Sequence, residues 1–461
     1  MRWSLALALL AGVAWAEDSS TSTSTSESSQ SSDSTTTTSS LALSDATTVT
    51  DPSAAIPTGS YEVYDTTITL ADGDQLTSTI TGNSSATTTG NGTVVTTTHN
   101  SVTVLVGGGG TTTLGNSSMN ATATTSSTST AVATNTRPCN SYAEFCQRKY
   151  SNITMVAAHN SPFVRKGNAA ANQDFTVKYQ LDDGVRMLQF QVHNQNGTME
   201  LCHTSCSMLD VGTLEAYLTT VTEWIRSNPY DIVTILIGNY DYVSPSHFVD
   251  PIKSSGLYDY VYTPSKIPMA LDDWPTLSEM IITGKRAVIF MDYQANQTAY
   301  PWLMDEFSQV WETPFSPTSR EFPCNQQRPP GITVAQAKDR MYMANHNLNI
   351  ELNLGSIDLL IPNSAVLNET NAVSGYGSLG KMARNCSARW DRPPNFLLVD
   401  YYNDGNFNGS VFDVAAEMNN VTYNNQSCCG TDSAAVPGMS TVTVSTMVLV
   451  AAGVQFFLSA F

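Results

Sequence analysis

Short apolar runs recur between residues 137 and 423, and in several of them hydrophobic residues follow one another without polar residues in between. This pattern is typical of strands buried on both faces, as in a parallel sheet. A helix is predicted at Val211–Arg226, where apolar residues three or four positions apart share one face and Asn228-Pro229 ends the pattern. The runs that predict strands are Ile153–Ala158, Val185–Val192, Ile232–Ile237, Ala287–Met291, Met341–Ala344 and Phe396–Val399.

Strands that alternate with helices over about 290 residues favour one α/β domain with the architecture of a (β/α) barrel. In such barrels the active-site residues lie at the carboxyl ends of the strands. Polar side chains gather at this end of nearly every predicted strand, which packing alone does not explain. They are His159, Asn160, Gln189, Gln191, His193, Asn239, Asp241, Asp292, Asn345, His346, Asn347 and Asp400.

Upstream of this domain, which we place at residues 137–423, the composition changes. Residues 1–16 combine a basic start, an apolar run and an Ala-Trp-Ala ending, which predicts a secretory signal peptide. Residues 17–136 are rich in Ser and Thr and predict a glycosylated stalk, because such a composition buries too little apolar surface to fold. Alternating patches at Tyr61–Tyr64 and Thr66–Leu70 indicate a small β element within it.

Residues 424–461 end in an uncharged apolar run, Met447–Phe461, which follows a spacer and the small residues Ser433-Ala434-Ala435. This order is typical of a glycosylphosphatidylinositol (GPI) attachment signal, which would hold the secreted protein at the plasma membrane or cell wall. A tail-anchoring transmembrane helix is the alternative. The run is short for a membrane span, and no basic residue follows it.

Eight cysteines, an even number, allow complete pairing in a secreted chain. No Cys/His spacing is typical of zinc, so we expect no metal bound by cysteine. The expected pairs are Cys139 with Cys146, Cys202 with Cys206 around His203, and Cys324 with Cys386, while the adjacent Cys428 and Cys429 stay unassigned.

The net charge of −19, from 21 basic and 40 acidic residues, argues against nucleic acid as a partner, because phosphates need a basic surface. It also argues against purely electrostatic docking to anionic lipid. Glycosylation acceptors of the type Asn-X-Ser/Thr must lie on the surface wherever they are used. They occur at Asn83, Asn91, Asn116, Asn120, Asn152, Asn196, Asn296, Asn368, Asn385, Asn408, Asn420 and Asn425.

An ordered set of motifs runs through the predicted domain. The set resembles the X domain of phosphatidylinositol-specific phospholipase C and its secreted phosphodiesterase-like relatives, over about residues 139–420. The resemblance implies an irregular TIM barrel that cleaves a phosphodiester, either a phospholipid or a glycerophosphodiester. The motifs are His159-Asn160-Ser161, Asn172-Gln173, Gln180–Arg186, Leu201-Cys202-His203, Asn228-Pro229, Asp231–Ile235 and Asn395–Val399.

The resemblance also implies roles for individual residues. By match, His159 is the base that takes the proton from the hydroxyl attacking phosphorus, and His203 is the acid that protonates the leaving alcohol. Imidazole titrates near neutral pH, which suits both steps. The matches place Asp400 where it can orient His159. They place Asp292, like Asn160, where it can bind substrate.

The sequence departs from the family pattern at the positions that handle charge. Calcium-dependent members carry carboxylates where this chain has Gln189, Gln191 and Gly238, and calcium-independent members carry an arginine at the position of Gln191. Amides offer no negative charge to a hard cation, so we expect neither a metal nor another cofactor. Arg165 and Lys166, in the loop after the first strand, are the cations left to bind the phosphate, unless they are merely solvated.

Two hypotheses about function stay open at this point. The first is a metal-independent phosphodiesterase in which His159 and His203 transfer the protons, with Gln189 and Gln191 among its substrate-binding residues. The second is a catalytically decayed barrel that serves as a binding or wall-associated protein on the cell surface, since a fold by itself does not decide function.

Overall fold

The computed structural model describes residues 60–64, 66–71, 75–77, 137–354, 357–424 and 428–429. The predicted signal peptide, most of the predicted stalk and the predicted GPI signal lie outside the described residues. The strands are β1 Ile68–Ala71, β2 Gln75–Thr77, β3 Met155–Ala158, β4 Met187–Gln195, β5 Thr198–Cys202, β6 Asp210–Thr213, β7 Val233–Asn239, β8 Lys266–Ile267, β9 Ala287–Met291, β10 Leu303–Asp305, β11 Val310–Glu312, β12 Met341–Asn345, β13 Asn349–Leu354, β14 Ile357–Pro362 and β15 Phe396–Val399.

Helices connect most of these strands. The α-helices are α1 Val177–Asp183, α2 Leu214–Ser227, α3 Ser246–Ser254, α4 Leu277–Ile282, α5 Glu306–Gln309, α6 Val334–Lys338, α7 Leu367–Thr370, α8 Leu379–Trp390 and α9 Ser410–Met418. Shorter 3-10 helices cover Ala143–Gln147, Tyr150–Asn152, Leu257–Tyr260, Leu271–Asp273 and Ser364–Val366.

Eight strands form a parallel sheet in the order β10-β9-β7-β4-β3-β15-β12-β11. The last strand, β15, pairs with the first, β3, from Phe396 opposite Met155 to Val399 opposite Ala158. The predicted α/β class and irregular barrel are confirmed. Among the strand pairings of the described residues none joins β10 to β11, which α5 connects along the chain. We call this gap, together with α5, the seam.

All six predicted strands are present, with bounds that differ by up to three residues from the apolar runs. The predicted helix begins later than expected, at Leu214, because residues up to Thr213 extend β6 and Thr213 caps the helix by accepting from the Ala216 amide. The sequence pattern missed β10 and β11. Each has only three residues and ends in a buried acid, Asp305 or Glu312, which interrupts the apolar signal.

Successive residues of the barrel strands face opposite sides, and this alternation builds two cores. In β9, Val288 and Phe290 belong to the inner cluster, whereas Ala287, Ile289 and Met291 pack in the outer cluster with helical residues such as Leu218 of α2. The inner cluster also contains Leu236, Met343 and Leu398 from three other strands. The barrel interior is therefore a packed core, and a ligand site can only form above it.

A segment upstream of the predicted domain boundary packs on the barrel. Strand β1 pairs antiparallel with β2 and with β8, and the Leu70 amide donates to Ser265 O at 2.8 Å. We call residues 60–64 and 66–71 the N-terminal segment. The small β element expected near Thr66–Leu70 is thus present, while the boundary at residue 137 stays a prediction.

The three expected disulfides form, and Cys428 pairs with its neighbour Cys429. No helix in the described part of the chain is long and apolar enough to cross a membrane. The glycosylation acceptors that the structure describes have exposed asparagines, as their use requires. They are Asn152, Asn196, Asn296, Asn368, Asn385, Asn408 and Asn420.

Candidate active site

His159 follows the first barrel strand and Asp400 follows the last, and the pairing of β3 with β15 brings them together. His159 Nδ1 lies 2.7 Å from Asp400 Oδ1, and Asn172 Nδ2 donates to the same oxygen at 2.8 Å. The Asp400 side chain is buried. A carboxylate on Nδ1 favours the tautomer with the proton there, which leaves Nε2 of His159 free to accept a proton.

Amide groups surround the Nε2 atom of His159. Asn160 Nδ2 lies 3.2 Å from it and Asn347 Nδ2 lies 3.4 Å from it. Asn160 has φ of 50°, a left-handed conformation that asparagine tolerates, and its backbone amide donates to Gln189 Oε1 at 2.9 Å. Within the described structure the Oδ1 atoms of Asn160 and Asn347 are buried without a partner, so both are acceptors left for a hydroxyl-bearing ligand.

Gln189, Gln191 and Gly238 occupy the positions at which calcium-dependent relatives are expected to carry metal ligands. A Cβ atom at Gly238 would lie 3.3 Å from Gln191 Cγ and 3.2 Å from Phe190 O, so the Gln191 side chain occupies the space beside the glycine. Gln189 and Gln191 both line the pocket. Among the described residues no group of three or more His, Cys, Asp and Glu side chains is placed to hold a metal ion.

His203 follows β5, in a loop closed by the Cys202–Cys206 disulfide. Its side chain is buried against the ring of Phe163, at 5.1 Å between centroids, and its Nδ1 has no partner among the described residues. Burial lowers the pKa of His203 to about 4, and the nearby charge of His159 adds to this, while Asp400 opposes it. His203 is therefore neutral at pH 7, which differs from the expectation of a titration near neutral pH.

Arg165 and Lys166 are both exposed, and neither lines the pocket that contains His159. The guanidinium of Arg165 donates instead to Asp210 O at 2.7 Å. The structure therefore does not bring these two cations together with the histidine.

A different cation, Arg328, lines the pocket, and sequence reasoning missed it. Its Nη1 lies 3.0 Å from Glu312 Oε2, its Nη2 donates to the Tyr293 hydroxyl at 3.0 Å, and its guanidinium stacks 4.3 Å from the Phe315 ring centroid. Only 3 % of it is exposed. Burial opposes its charge, but Glu312 and other acidic neighbours raise the pKa of Arg328 above its usual value, so it stays a cation.

Two further carboxyl groups lie beside Arg328 and carry less charge than expected. Burial raises the pKa of Asp292 to about 6, even though Arg328 and the Asn239 amide, which donates at 2.7 Å, act against the shift. Burial and the charge of Glu312 raise the pKa of Glu306 well above its usual value. The shift favours the neutral form of Glu306, whereas Asp292 with a pKa of about 6 is still mostly ionised at pH 7.

The pocket has a volume of about 140 Å³, close to the roughly 150 Å³ cavity that holds one benzene ring in an engineered protein. It has an apolar floor, polar walls and two exposed tyrosines, Tyr240 and Tyr242, among its lining residues. A small polar group fits this space, whereas a lipid chain does not. The lining residues are His159, Gln189, Gln191, Leu236, Gly238, Tyr240, Tyr242, Asp292, Tyr293, Glu306, Glu312, Phe315, Arg328, Met343, Asn345, Asn347 and Leu398.

Other histidines of the strand ends have partners outside the pocket. His193 Nδ1 lies 3.1 Å from Asp241 Oδ1. His346 is buried, with Nε2 2.8 Å from Thr370 O, and burial lowers its pKa to about 4. Both positions fit a structural role.

Known proteins resemble this chain over the barrel. An uncharacterized secreted protein of Arthroderma benhamiae is 64% identical over 297 residues, which cover 64% of this chain and 67% of that protein. A PI-PLC X domain-containing protein 1 of the same organism is 42% identical over 270 residues, or 58% and 86% of the two chains. The phosphatidylinositol-specific phospholipase C of Listeria monocytogenes aligns at 12% identity and a TM-score of 0.39, over 59% of this chain and 94% of that structure.

The family comparison covers the same region. Residues 145–419, well over half of the chain, match the family model described as PI-PLC X 1. This range contains the histidines, Asp400 and Arg328, and it begins after the N-terminal segment. The chain belongs to the PI-PLC X domain family.

Proposed function

We propose that the protein is a metal-independent phosphodiesterase of the phospholipase C type. The observation that carries the proposal is the His159–Asp400 pair, in which Asp400 is bound to Nδ1 and His159 lines the same pocket as a buried arginine. His159 takes the proton from a hydroxyl of the substrate, and the oxygen of that hydroxyl forms a bond to phosphorus. The bond from phosphorus to the leaving oxygen breaks, and His203 gives that oxygen its proton.

The proposal assigns Arg328 the positive charge that the family otherwise takes from a metal or from an arginine on the second barrel strand. Negative charge builds up during phosphoryl transfer, and a fixed cation in a dry site stabilises it without reorganisation. The raised pKa of Glu306 supports this role, because it favours the neutral form of that carboxyl group and so limits the negative charge that competes with an anionic substrate. Asn347 lines the pocket, and its unpartnered Oδ1 suits a substrate that carries hydroxyl groups.

The low pKa of His203 sets a condition on the mechanism. A general acid has to be protonated, and a pKa of about 4 leaves little of that form at pH 7. A bound phosphodiester anion would raise the pKa by attraction. Proton donation by His203 is thus coupled to substrate binding.

We also propose that the protein is secreted and acts at the cell surface. A relative with 64% identity is named a secreted protein, and the disulfides are consistent with an oxidising compartment. The GPI attachment expected near the end of the chain would place the barrel next to phospholipid. A phospholipid or a glycerophosphodiester derived from it is therefore the proposed substrate.

A specific observation also favours a second candidate, the surface-binding protein on a decayed barrel. His203 is buried, neutral at pH 7 and absent from the pocket lining, and the metal-ligand positions hold Gln191 and Gly238. In that case the pocket would bind a hydroxyl-bearing ligand without turnover.

The test uses the full secreted chain with phosphatidylinositol vesicles and with glycerophosphoinositol, in the presence of a chelator. We expect cleavage that the chelator does not inhibit and that His159→Ala abolishes. His247→Ala, which changes an exposed histidine outside the pocket, is the matched control. Equal behaviour of wild type and His159→Ala would exclude the enzymatic proposal, and saturable binding without turnover would support the second candidate.

A further inference from the structure

The N-terminal segment reaches the outer side of the wall that holds Arg328. The Tyr61 ring lies edge-on to Phe307 of the seam, at 4.8 Å between centroids, and to Tyr293, at 5.8 Å. The hydroxyls of Tyr61 and Tyr293 are 3.5 Å apart. Tyr61 thus touches both the helix that spans the seam and a residue that lines the pocket.

Tyr293 connects this contact to the pocket cation. Its hydroxyl accepts the hydrogen bond from Arg328 Nη2 at 3.0 Å, and the Arg328 guanidinium lies 4.8 Å from the Phe307 ring centroid. The two rings on which Tyr61 packs are therefore two of the three rings next to the guanidinium, the third being Phe315. Aromatic side chains packed in this way restrict each other's rotamers.

The segment is held at a second point. Tyr64, three residues further on, is packed against the domain, and burial followed by the negative charge of Asp305 raises its pKa above the ordinary value. Between them, Glu62 and Val63 are exposed, so the segment turns its tyrosines toward the barrel. Strand β1 then continues the contact through its ladder with β8.

We propose that Tyr61 is a positioning residue of the active site, which fixes Arg328 in the pocket by packing on Tyr293 and Phe307. The proposal rests on the role of Arg328 in the proposed function. It makes a segment within the Ser/Thr-rich region part of the catalytic unit, although the family match begins only at residue 145. Among the described strands β10 and β11 do not pair with each other. The packing of Tyr61 therefore supports the wall at a place where the sheet itself does not.

The first experiment measures how fast phenylglyoxal modifies Arg328 in the full chain, by peptide mass spectrometry. Exposed Arg165 in the same sample calibrates the reagent. We expect Tyr61→Ala to increase the modification rate of Arg328 about tenfold, since two aromatic contacts are lost. Tyr61→Phe keeps both ring contacts and should behave like wild type. An Arg328 that stays as slow in Tyr61→Ala as in wild type overturns the proposal, whether or not the protein is an enzyme.

The second experiment separates positioning from mere packing. We expect Tyr61→Ala to raise KM about fivefold and to lower kcat as well, because a less well fixed Arg328 binds the phosphodiester less tightly and stabilises the charge that builds up during transfer less well. Tyr61→Phe should restore the wild-type KM. A faster modification of Arg328 with an unchanged KM would show that the contact is only structural. If Tyr61→Ala is not secreted in folded form, Tyr61→Leu, which keeps apolar bulk, takes its place with the same expected outcomes.

If the wild-type protein shows no turnover, the proposed function is refuted, but the proposed effect of Tyr61 on Arg328 is not. The modification rates then decide alone whether Tyr61 fixes Arg328. The failure of one idea is therefore distinguishable from the failure of the other.

Discussion

The two sides of the pocket are built in different ways. On one side, which we call the histidine side, β3, β4 and β15 present His159, Gln189 and Asp400, and amides hold the imidazole. On the other, the arginine side, β11 and the loop after it present a buried ion pair of Glu312 and Arg328. The histidine side is fitted to move a proton, and the arginine side is fitted to hold charge.

The difference shows where the pocket can hold charge, although the positions that carry charged residues in other family members are uncharged here. Gln191 on β4 and Gly238 on the adjacent strand β7 offer no charge. On the arginine side, Arg328 stays a cation because of its acidic neighbours, of which Glu312 forms an ion pair with it. The same pocket can therefore combine acid–base chemistry with charge stabilisation, although the two functions come from separate parts of the barrel.

The largest expected effect comes from the histidine side. Asp400→Asn removes the negative charge that orients His159 and favours its reactive tautomer, so we expect kcat/KM to fall about 100-fold or more with little change in fold. Steady-state kinetics on the substrate that wild type cleaves measures this loss. A loss below threefold would mean that Asp400 does not serve the histidine.

The next effect comes from the arginine side and concerns stability as well as binding. Arg328→Met leaves Glu312 buried without its partner, so we expect the free energy of unfolding to fall by about 3 kcal/mol and KM to rise. Adding Glu312→Gln should recover much of the stability but not the KM. Denaturant unfolding and kinetics measure the two quantities.

Lys178→Met, which breaks an exposed ion pair with Asp182, is the control for that stability change and should cost less than about 1 kcal/mol. A double variant that regained normal substrate binding would contradict the role of Arg328.

A smaller effect concerns the pH dependence of kcat/KM and tests His203 as the general acid. The pKa of His203 is lowered to about 4, so its protonated, donating form decreases as pH rises. Because kcat/KM reports the free enzyme, we expect it to be several-fold higher near about pH 5 than near about pH 7.5. A profile that rises over this interval would show that His203 is not the acid.

The smallest effect concerns the cations predicted from the sequence. Arg165→Ala and Lys166→Ala, alone or together, should change kcat/KM less than about twofold, since both side chains are exposed and lie outside the pocket lining. A loss comparable to that of Arg328→Met would shift the charge-binding role to the loop after β3.

The two sides also differ in how well the sequence predicted them. His159 and Asp400 follow uninterrupted apolar runs that are recognisable as strands, and the strand ends of a parallel barrel meet at one edge. Arg328 lies in a loop after a three-residue strand that the pattern did not predict, and no strand-end signal accompanies it. The sequence favours Arg165 as the phosphate-binding cation because it lies close to His159 along the chain, but its guanidinium donates to Asp210 O.

By itself the sequence determined six of the barrel strands, the barrel class and the histidine motifs, because burial on both faces and the strand-end rule leave a local trace. Cysteine positions predicted three disulfides and left Cys428 and Cys429 unassigned. Only the tertiary structure decided which cation lines the pocket. Arg328 meets Glu312 across 16 residues and Tyr293 across 35, and Tyr61 reaches Tyr293 across 232. Contacts at such separations depend on how the seam is packed, and no local pattern of hydrophobic and polar residues records them.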